Sequence, residues 1–199
     1  MARAGLGVAG PERLLSRSAA RQHQPHTPVS GDRPVPHIRH ARQADLAAVH
    51  AINEAAVPHV NSITLDCFQD FTRSAAYFRV ASLANRVVGY LVAFAPGANY
   101  DSVNFLWFQG RYRNFLYIDR IAVAADARRR GVASDLYRDV FDFARPRTGL
   151  LTCEVNTRPP NAESKAFHEG FGFRQVGTQE TEAGSKAVSL MAVELSAPG

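Results

Sequence analysis

From His37 onward the chain switches between two apolar patterns. Short apolar runs between turn residues mark strands, and apolar residues three or four apart mark helices. "HIRHAR" (37–42) reads as a short strand. "QADLAAVHAINEAAV" (43–57) carries Leu46, Val49, Ile52 and Ala56 at helical spacing, and Pro58 closes it. A loop and a short helix follow, through Asp66 to Ala76. "YFRVASL" (77–83) and "RVVGYLVAFAP" (86–96) read as paired strands around a turn at Ala84 and Asn85. Residues 96–114 form a long aromatic connection, and "FLYIDRIAVA" (115–124) is a strongly apolar strand. The next helix sets Val132, Leu136, Val140 and Ala144 on one face, with Ser134, Asp135, Arg138, Asp139 and Asp142 mostly on the other. "GLLTCEV" (149–155) is a strand, and "NAESKAFHE" (161–169) is a short helix that Gly170 ends. "FGFRQVGTQE" (171–180) and "KAVSLMAVEL" (186–195) read as an antiparallel pair. The order β-α-α-β-β-β-α-β-α-β-β argues for an α/β (α+β) domain, a mixed, twisted sheet covered by helices on both faces.

Residues 1–36 stand apart. They are rich in Ala, Arg, Gly, Pro and His, lack aromatics and show no sustained period, so a disordered basic tail is expected there. The segment has no continuous apolar run of the kind a secretory signal needs. Its Arg-rich, nearly acid-free composition also suits a transit peptide, so tail and targeting segment are both open. The compact unit is expected over 37–199.

With 199 residues, 46% of them apolar, the chain can bury one sizeable core. No stretch approaches the ~20 apolar residues of a spanning helix, which argues against a membrane partner. Net charge is +5, which favours anionic partners without choosing among nucleotides, nucleic acid and acidic lipid. Cys67 and Cys153 have no C-x-x-C partners. Reduced thiols, a cytoplasmic setting and no metal site are expected.

"ARRRGVAS" (127–134) packs positive charge where a helix begins. A helix N-terminus already presents unsatisfied N–H groups and a partial positive charge, so something anionic belongs there. Gly131 lets a ligand approach the backbone, and Ala133 and Ser134 keep the following positions small. Strand, basic turn and helix together are a phosphate-holding geometry. The stretch lacks the Gly-Lys-Ser/Thr of a Walker loop and the G-x-G-x-x-G of a dinucleotide site. A solvated basic turn is the plain alternative.

R-x-x-G-x-A (Arg128, Gly131, Ala133) directly follows the "IAV" strand at Ile121–Val123. About thirty residues later comes N-x-x-S-x-x-F-H-x-x-x-G-F: Asn161, Ser164, Phe167, His168, Gly172 and Phe173. In this order the two motifs resemble the GNAT superfamily of acyl-CoA-dependent N-acyltransferases, over roughly residues 37–195. The resemblance implies a GNAT-like, mostly antiparallel central sheet and acetyl-CoA as co-substrate. It implies that the strand before the loop splays from its neighbour, so that Ile121, Ala122 and Val123 pair with the pantetheine arm. It assigns the pyrophosphate to the loop amides of Arg128, Arg129, Arg130, Gly131, Val132, Ala133 and Ser134, and a cofactor contact to Asn161.

Acetyl transfer to an amine needs a base, because an alkylammonium has no nucleophilic lone pair. Asp119 is the first candidate; by alternation it shares a face with Tyr117, Ile121 and Val123. Pairing with Arg120 or Arg113 is its alternative role. Many relatives carry a glutamate base where this chain has Tyr117, and Glu154 is a second candidate. His168 occupies the position at which many relatives place a tyrosine acid. It could donate a proton, bond the cofactor or cap a helix. Cys153 as a covalent nucleophile competes with an inert buried strand thiol. The aromatic connection could form a lid, a pocket wall or a homodimer contact, and Asp70, Asp101 and Glu54 could attract a cationic amine. The leading expectation is an N-acetyltransferase acting on a small amine or a peptide by direct transfer in a ternary complex. A non-catalytic acyl-CoA-binding sensor or scaffold is the alternative. Nucleic-acid binding has no supporting recognition motif.

Overall fold

The computed structural model describes residues 34–181 and 184–196. Nearly all of the expected basic tail lies outside the described residues.

Seven strands and five α-helices are described: β1 (His37–His40), α1 (Leu46–Glu54), α2 (Leu65–Ser74), β2 (Tyr77–Leu83), β3 (Arg86–Phe94), α3 (Val103–Gln109), β4 (Leu116–Val123), α4 (Val132–Ala144), β5 (Leu150–Arg158), α5 (Ala162–Gly170), β6 (Arg174–Thr181) and β7 (Lys186–Glu194). The strands form one sheet in the order β1-β2-β3-β4-β5-β7-β6. Every neighbouring pair is antiparallel except β4 with β5. The expected mixed, mostly antiparallel sheet is what the chain forms, including the β6–β7 pair.

Each face of the sheet carries its own core. On one, Leu46, Val49 and Ile52 of α1, Phe68 and Phe71 of α2, and Phe105 and Phe108 of α3 pack on Tyr90, Val92, Phe94 and Tyr117. On the other, Val132, Leu136, Tyr137, Val140 and Ala144 of α4, joined by Phe167 and Phe171, pack on Leu91, Ile118, Leu151 and Met191. The apolar stripe read along α4 is the stripe that is buried.

One element departs from the expected order. The connection over 96–114 contains α3, capped by the Ser102 hydroxyl, which accepts from the Phe105 N–H. Its sequence, VNFLWFQ, is apolar on nearly every side, so no helical period stands out. The Trp107 ring fixes its position by lying over Gly177 of β6; a Cβ there would come within 2.6 Å of the ring.

β4 is irregular in a way that builds the site. Its ladder with β3 slips: Val92 pairs with Arg120, but Ala93 pairs with Ile118. Asp119 is therefore the extra residue of a β-bulge. The bulge corrects the expected alternation. Tyr117 joins the α1–α3 core, whereas Ile121 and Val123 pack toward the α4 core. Asp119 itself bonds Tyr100, a member of the α1–α3 side. One inserted residue reverses the facing of everything beyond it.

β4 also parts from β5. Their parallel ladder runs only from Leu116↔Leu151 to Ile118↔Cys153. β4 then continues along β3 to Val123, while β5 continues along β7 to Arg158. The gap opens at Asp119 on one side and Glu154 on the other.

The β2–β3 turn holds Ala84 at φ 46° and Asn85 at φ 63°. Two positive φ angles suit the right-handed twist of a hairpin, but an alanine there costs about 1–2 kcal/mol. Ala84→Asn at this exposed turn should recover up to about 1 kcal/mol and raise the melting temperature by roughly 2–4 °C. Calorimetric melting of the two proteins checks this; an unchanged or lower midpoint would mean the turn stores no strain.

Candidate functional site

The gap between β4 and β5 widens into a cleft of about 1090 Å³. Ile121, Ala122 and Val123 line one lip, and Asn161, Ser164 and His168 of the α5 region line the other. Past Ile118 the β4 edge that faces the gap has no strand beside it, so its backbone groups are available to an extended ligand.

At the end of this edge sits the arginine loop. Arg128 donates from Nε to the Val123 carbonyl at 3.2 Å and lines the cleft. Arg129 has φ 57° and Gly131 φ 78°, and this left-handed turn delivers the chain into α4. The Asp135 N–H bonds the Gly131 carbonyl at 3.0 Å. The N–H groups of Val132, Ala133 and Ser134 precede it and have no acceptor within the helix. Three exposed arginines, a helix N-terminus and small side chains could hold a diphosphate. Ala133 faces the cleft, while the Val132 side chain is core and contributes backbone only. The side chains of Arg129, Arg130 and Ser134 are not on the cleft wall. Asn161 caps α5, its Oδ1 accepting from the Ser164 N–H at 3.1 Å. Its amide donors are the part left for a ligand.

Deeper in, Asp119 is almost fully enclosed. One carboxylate oxygen accepts from the Tyr100 hydroxyl and the other from Arg120 Nε at 2.6 Å. Arg120 also donates to Asn53 Oδ1 at 3.2 Å and to the Asn61 carbonyl at 3.4 Å. Burial opposes the guanidinium charge, and the Asp119 carboxylate outweighs it, so Arg120 stays cationic. The pairing anticipated with Arg120 is present.

Glu154 faces Asp119's strand from β5. Burial, helped by the negative charge of Asp119, pushes its carboxyl up to about 8. The positive charge of Arg120 pulls the other way. Glu154 Oε2 is shut off from solvent without a hydrogen-bond partner, and so is the Tyr117 hydroxyl. Sequence reasoning ranked Glu154 second; the signal for it was one acid inside an otherwise apolar strand.

His168 is 4% exposed and held on both nitrogens. Nδ1–H donates to the Ser164 carbonyl at 2.7 Å, and Nε2 accepts from the Tyr137 hydroxyl at 2.5 Å. Burial pushes its pKa down, so the ring is neutral at pH 7. Cys153 is a buried thiol whose pKa burial pushes up, further raised by Glu154. That is the opposite of an activated nucleophile. On the wider side of the cleft, Tyr100, Asp70 and Asp101 contribute to the wall, whereas Glu54 does not. Tyr100 is thus part of the wall, and Trp107 packs against β6. Among the described residues no cluster of three or more His, Cys, Asp or Glu could hold a metal, and no helix is long and apolar enough to cross a membrane.

The model of the acetyltransferase (GNAT) family matches residues 45–173. This chain belongs to the GNAT acetyltransferase family. It is an acyltransferase, and acetyltransferases of this family use acetyl-CoA. Among curated protein sequences none is significantly similar to it. Solved GNAT-fold structures are. Ard1 from Thermoplasma volcanium superposes with a TM-score of 0.68 at 22% identity, over 81% of this chain and 99% of that one. The ribosomal-protein-S18-alanine N-acetyltransferase from Escherichia coli gives 0.64 at 18% identity, over 82% and 96%. The yncA protein from Salmonella typhimurium, solved with acetyl-CoA, gives 0.63 at 18% identity, over 82% and 96%. In this GNAT domain the unpaired β4 edge and the basic α4 N-terminus fit such a ligand: an extended arm ending in a diphosphate.

Ala133→Glu tests that fit. An acid in the first helical turn favours the helix by about 0.3–1 kcal/mol, so the melting temperature should hold or rise. With a diphosphate held at this loop, a carboxylate at position 133 should weaken acetyl-CoA binding at least ~10-fold in calorimetric titration. Unchanged affinity would move the ligand off this loop.

Proposed function

We propose that this GNAT enzyme transfers an acetyl group from acetyl-CoA directly to a primary amine in a ternary complex, with Glu154 as the general base. The observation that carries the reading is the buried Glu154 carboxyl, one oxygen without a partner, in the wall of the cleft. Asp119 is the less suitable base, because both of its oxygens are already engaged by Tyr100 and Arg120. A buried carboxyl with one oxygen unpartnered is costly, and a domain that only binds acyl-CoA gains nothing from one.

The residues divide the work as follows. Ile121, Ala122 and Val123 hold the pantetheine arm with their backbone, and the amides of the Arg128–Ser134 loop hold the diphosphate. Asn161 donates to the cofactor from its amide. Bound acetyl-CoA supplies an activated thioester acyl group. Glu154 takes the proton of the attacking amine, and an unpaired β4 N–H past Ile118 steadies the acyl oxygen as it gains charge. The carbon–nitrogen bond forms as the carbon–sulfur bond breaks, and the thiolate takes its proton from water. His168 has no proton to spare for it, since Nδ1–H is committed to Ser164 and Nε2 is an acceptor. Its part is to hold α5 against α4 at the lip of the cleft.

A base with a pKa of about 8 suits an amine of similar pKa. The α-amine of a peptide, near ~7.7–8.0, fits better than a lysine side chain near ~10.4. The E. coli structure above is named for acetylation of an alanine of a ribosomal protein, which agrees with a peptide α-amine here; small α-amines satisfy the same chemistry. Both cysteines are free thiols, which suits a reducing compartment such as the cytoplasm.

The test is turnover of acetyl-CoA over matched peptides with free and blocked N-termini. Activity should require the free α-amine. In the active pairing, kcat/KM should rise with pH and level off above about 8, because the base works only once deprotonated. Glu154→Gln should lower kcat by ~10²–10⁴ while acetyl-CoA affinity stays unchanged. A folded Gln variant with the wild-type kcat would eliminate Glu154 as the base.

A further inference from the structure

β4 and β5 part after Ile118 and Cys153. On the face that carries α1, α2 and α3, the segment 59–62 between α1 and α2 crosses the gap they leave. Hydrogen bonds mark the crossing. On the near lip, Arg120 of β4 donates from Nη1 to the Asn61 carbonyl at 3.4 Å, and Asn53 of α1 donates to the same carbonyl at 3.1 Å. Ser62 adds a bond from its hydroxyl to Glu54 Oε2 at 2.7 Å. On the far lip, Lys186, the first residue of β7, donates from Nζ to Asn61 Oδ1 at 2.9 Å. Asn156 of β5 donates from Nδ2 to the His59 carbonyl at 3.5 Å. His59, Asn61, Ser62, Asn156 and Lys186 all line the cleft. β5 turns Glu154 to this same face: Cys153 and Val155 belong to the α4 core, whereas Leu190, the partner of Glu154 on β7, belongs to the α1–α3 core. The two ends of the crossing differ. Arg120 and Asn53 are buried, but the bonds from Lys186 and Asn156 lie in the open. Exposed hydrogen bonds compete with water and open far more readily than buried ones.

We infer that the segment 59–62 is a strap over the acceptor side of the gap, anchored to β4 and α1 through the Asn61 carbonyl and latched to β7 by Lys186, and that release of this latch admits the acceptor amine to Glu154. The inference rests on the reading of Glu154 as the group that meets the amine. The anchor keeps the strap's backbone in place over Arg120, so unlatching swings one end of a short segment and leaves the core intact. Acetyl-CoA, held in the same reading by the β4 edge and the α4 N-terminus, does not pass beneath the strap. The latch therefore acts on one substrate and not on the other. An acceptor that binds only the unlatched form has its apparent affinity reduced by the fraction of molecules unlatched, so weakening the latch raises kcat/KM for the acceptor.

The experiment is a double-mutant cycle on the latch in the full-length protein, with Lys186→Met, Asn61→Ala and the two combined. Hydrogen exchange at the amides of His59 and Val60, both bonded to the Ala56 carbonyl, reports opening of the strap with no substrate present. Each single variant should quicken that exchange ~2–10-fold, about the worth of one exposed hydrogen bond, and the double variant should quicken it no further. The kcat/KM for an alanine-first tetrapeptide should rise by a similar factor in all three, while the KM for acetyl-CoA stays unchanged. Lys186→Arg keeps a donor toward Asn61 and should stay near the wild type in both readouts. Unchanged exchange in the folded single variants would overturn the latch. Additive effects would overturn it too, because the two side chains would then not act through their shared bond. Faster exchange with an unchanged kcat/KM would overturn the gating of the acceptor. Failure of the base reading looks different: Glu154→Gln would then keep the wild-type kcat, whatever the strap does in exchange.

Discussion

The bulge at Asp119 is the constraint on which the site depends. β4 cannot stay in register with β3 and remain beside β5 once an extra residue enters its ladder, because a bulge bends the strand and increases its twist. β4 leaves β5 after three pairs, and β5 is retained by β7. The backbone groups of Asp119 through Val123 that would have bonded a strand are left facing a wedge. Unpaired backbone groups away from bulk water are costly, so the wedge is a place that a ligand with its own amides completes. The α4 N-terminus stands at the end of one lip and α5 at the end of the other, which puts a basic helix start and an asparagine cap at the mouth of the same gap.

The slip has a second consequence, in charge. It turns Asp119 and Arg120 toward the same helical layer, where they pair at 2.6 Å beneath Asn53 and over the Phe71 ring. A buried ion pair is tolerable only when its remaining hydrogen bonds are met; Tyr100, Asn53 and Asn61 meet them here. Asp119 thereby has both of its oxygens engaged. Glu154, across the gap, keeps one oxygen unengaged. Two carboxyls a strand apart are thus given different surroundings.

Much of this was legible along the chain. Apolar runs, helical spacing and the turn residues between them located every described strand and the helices α1, α2, α4 and α5. The arginine loop was legible for a local reason: strand, basic turn, glycine and helix follow one another directly. The features that escaped are the ones that depend on partners far away in sequence. α3 is apolar almost all round, and it is a helix in this place because Gly177, some seventy residues later, leaves room for Trp107. The facing of Ile121 and Val123 was misread because alternation presumes an unbroken ladder. Asp119 ranked ahead of Glu154 as base because nothing in "YIDRIAV" says that Arg120 folds back onto its neighbour.

α3 ties these threads together. It closes the first core with Phe105 and Phe108, and the loop leading into it places Tyr100 against Asp119. Its first turn puts Asn104 in the wall of the cleft. A short apolar helix with little intrinsic preference holds its register only through tertiary contacts, and two of these, Trp107 on Gly177 and Asn104 to Gln179, come from the edge strand β6. The edge strand therefore fixes the helix without lining the middle of the cleft, and the helix in turn holds Tyr100's loop and Asn104 in the cleft wall.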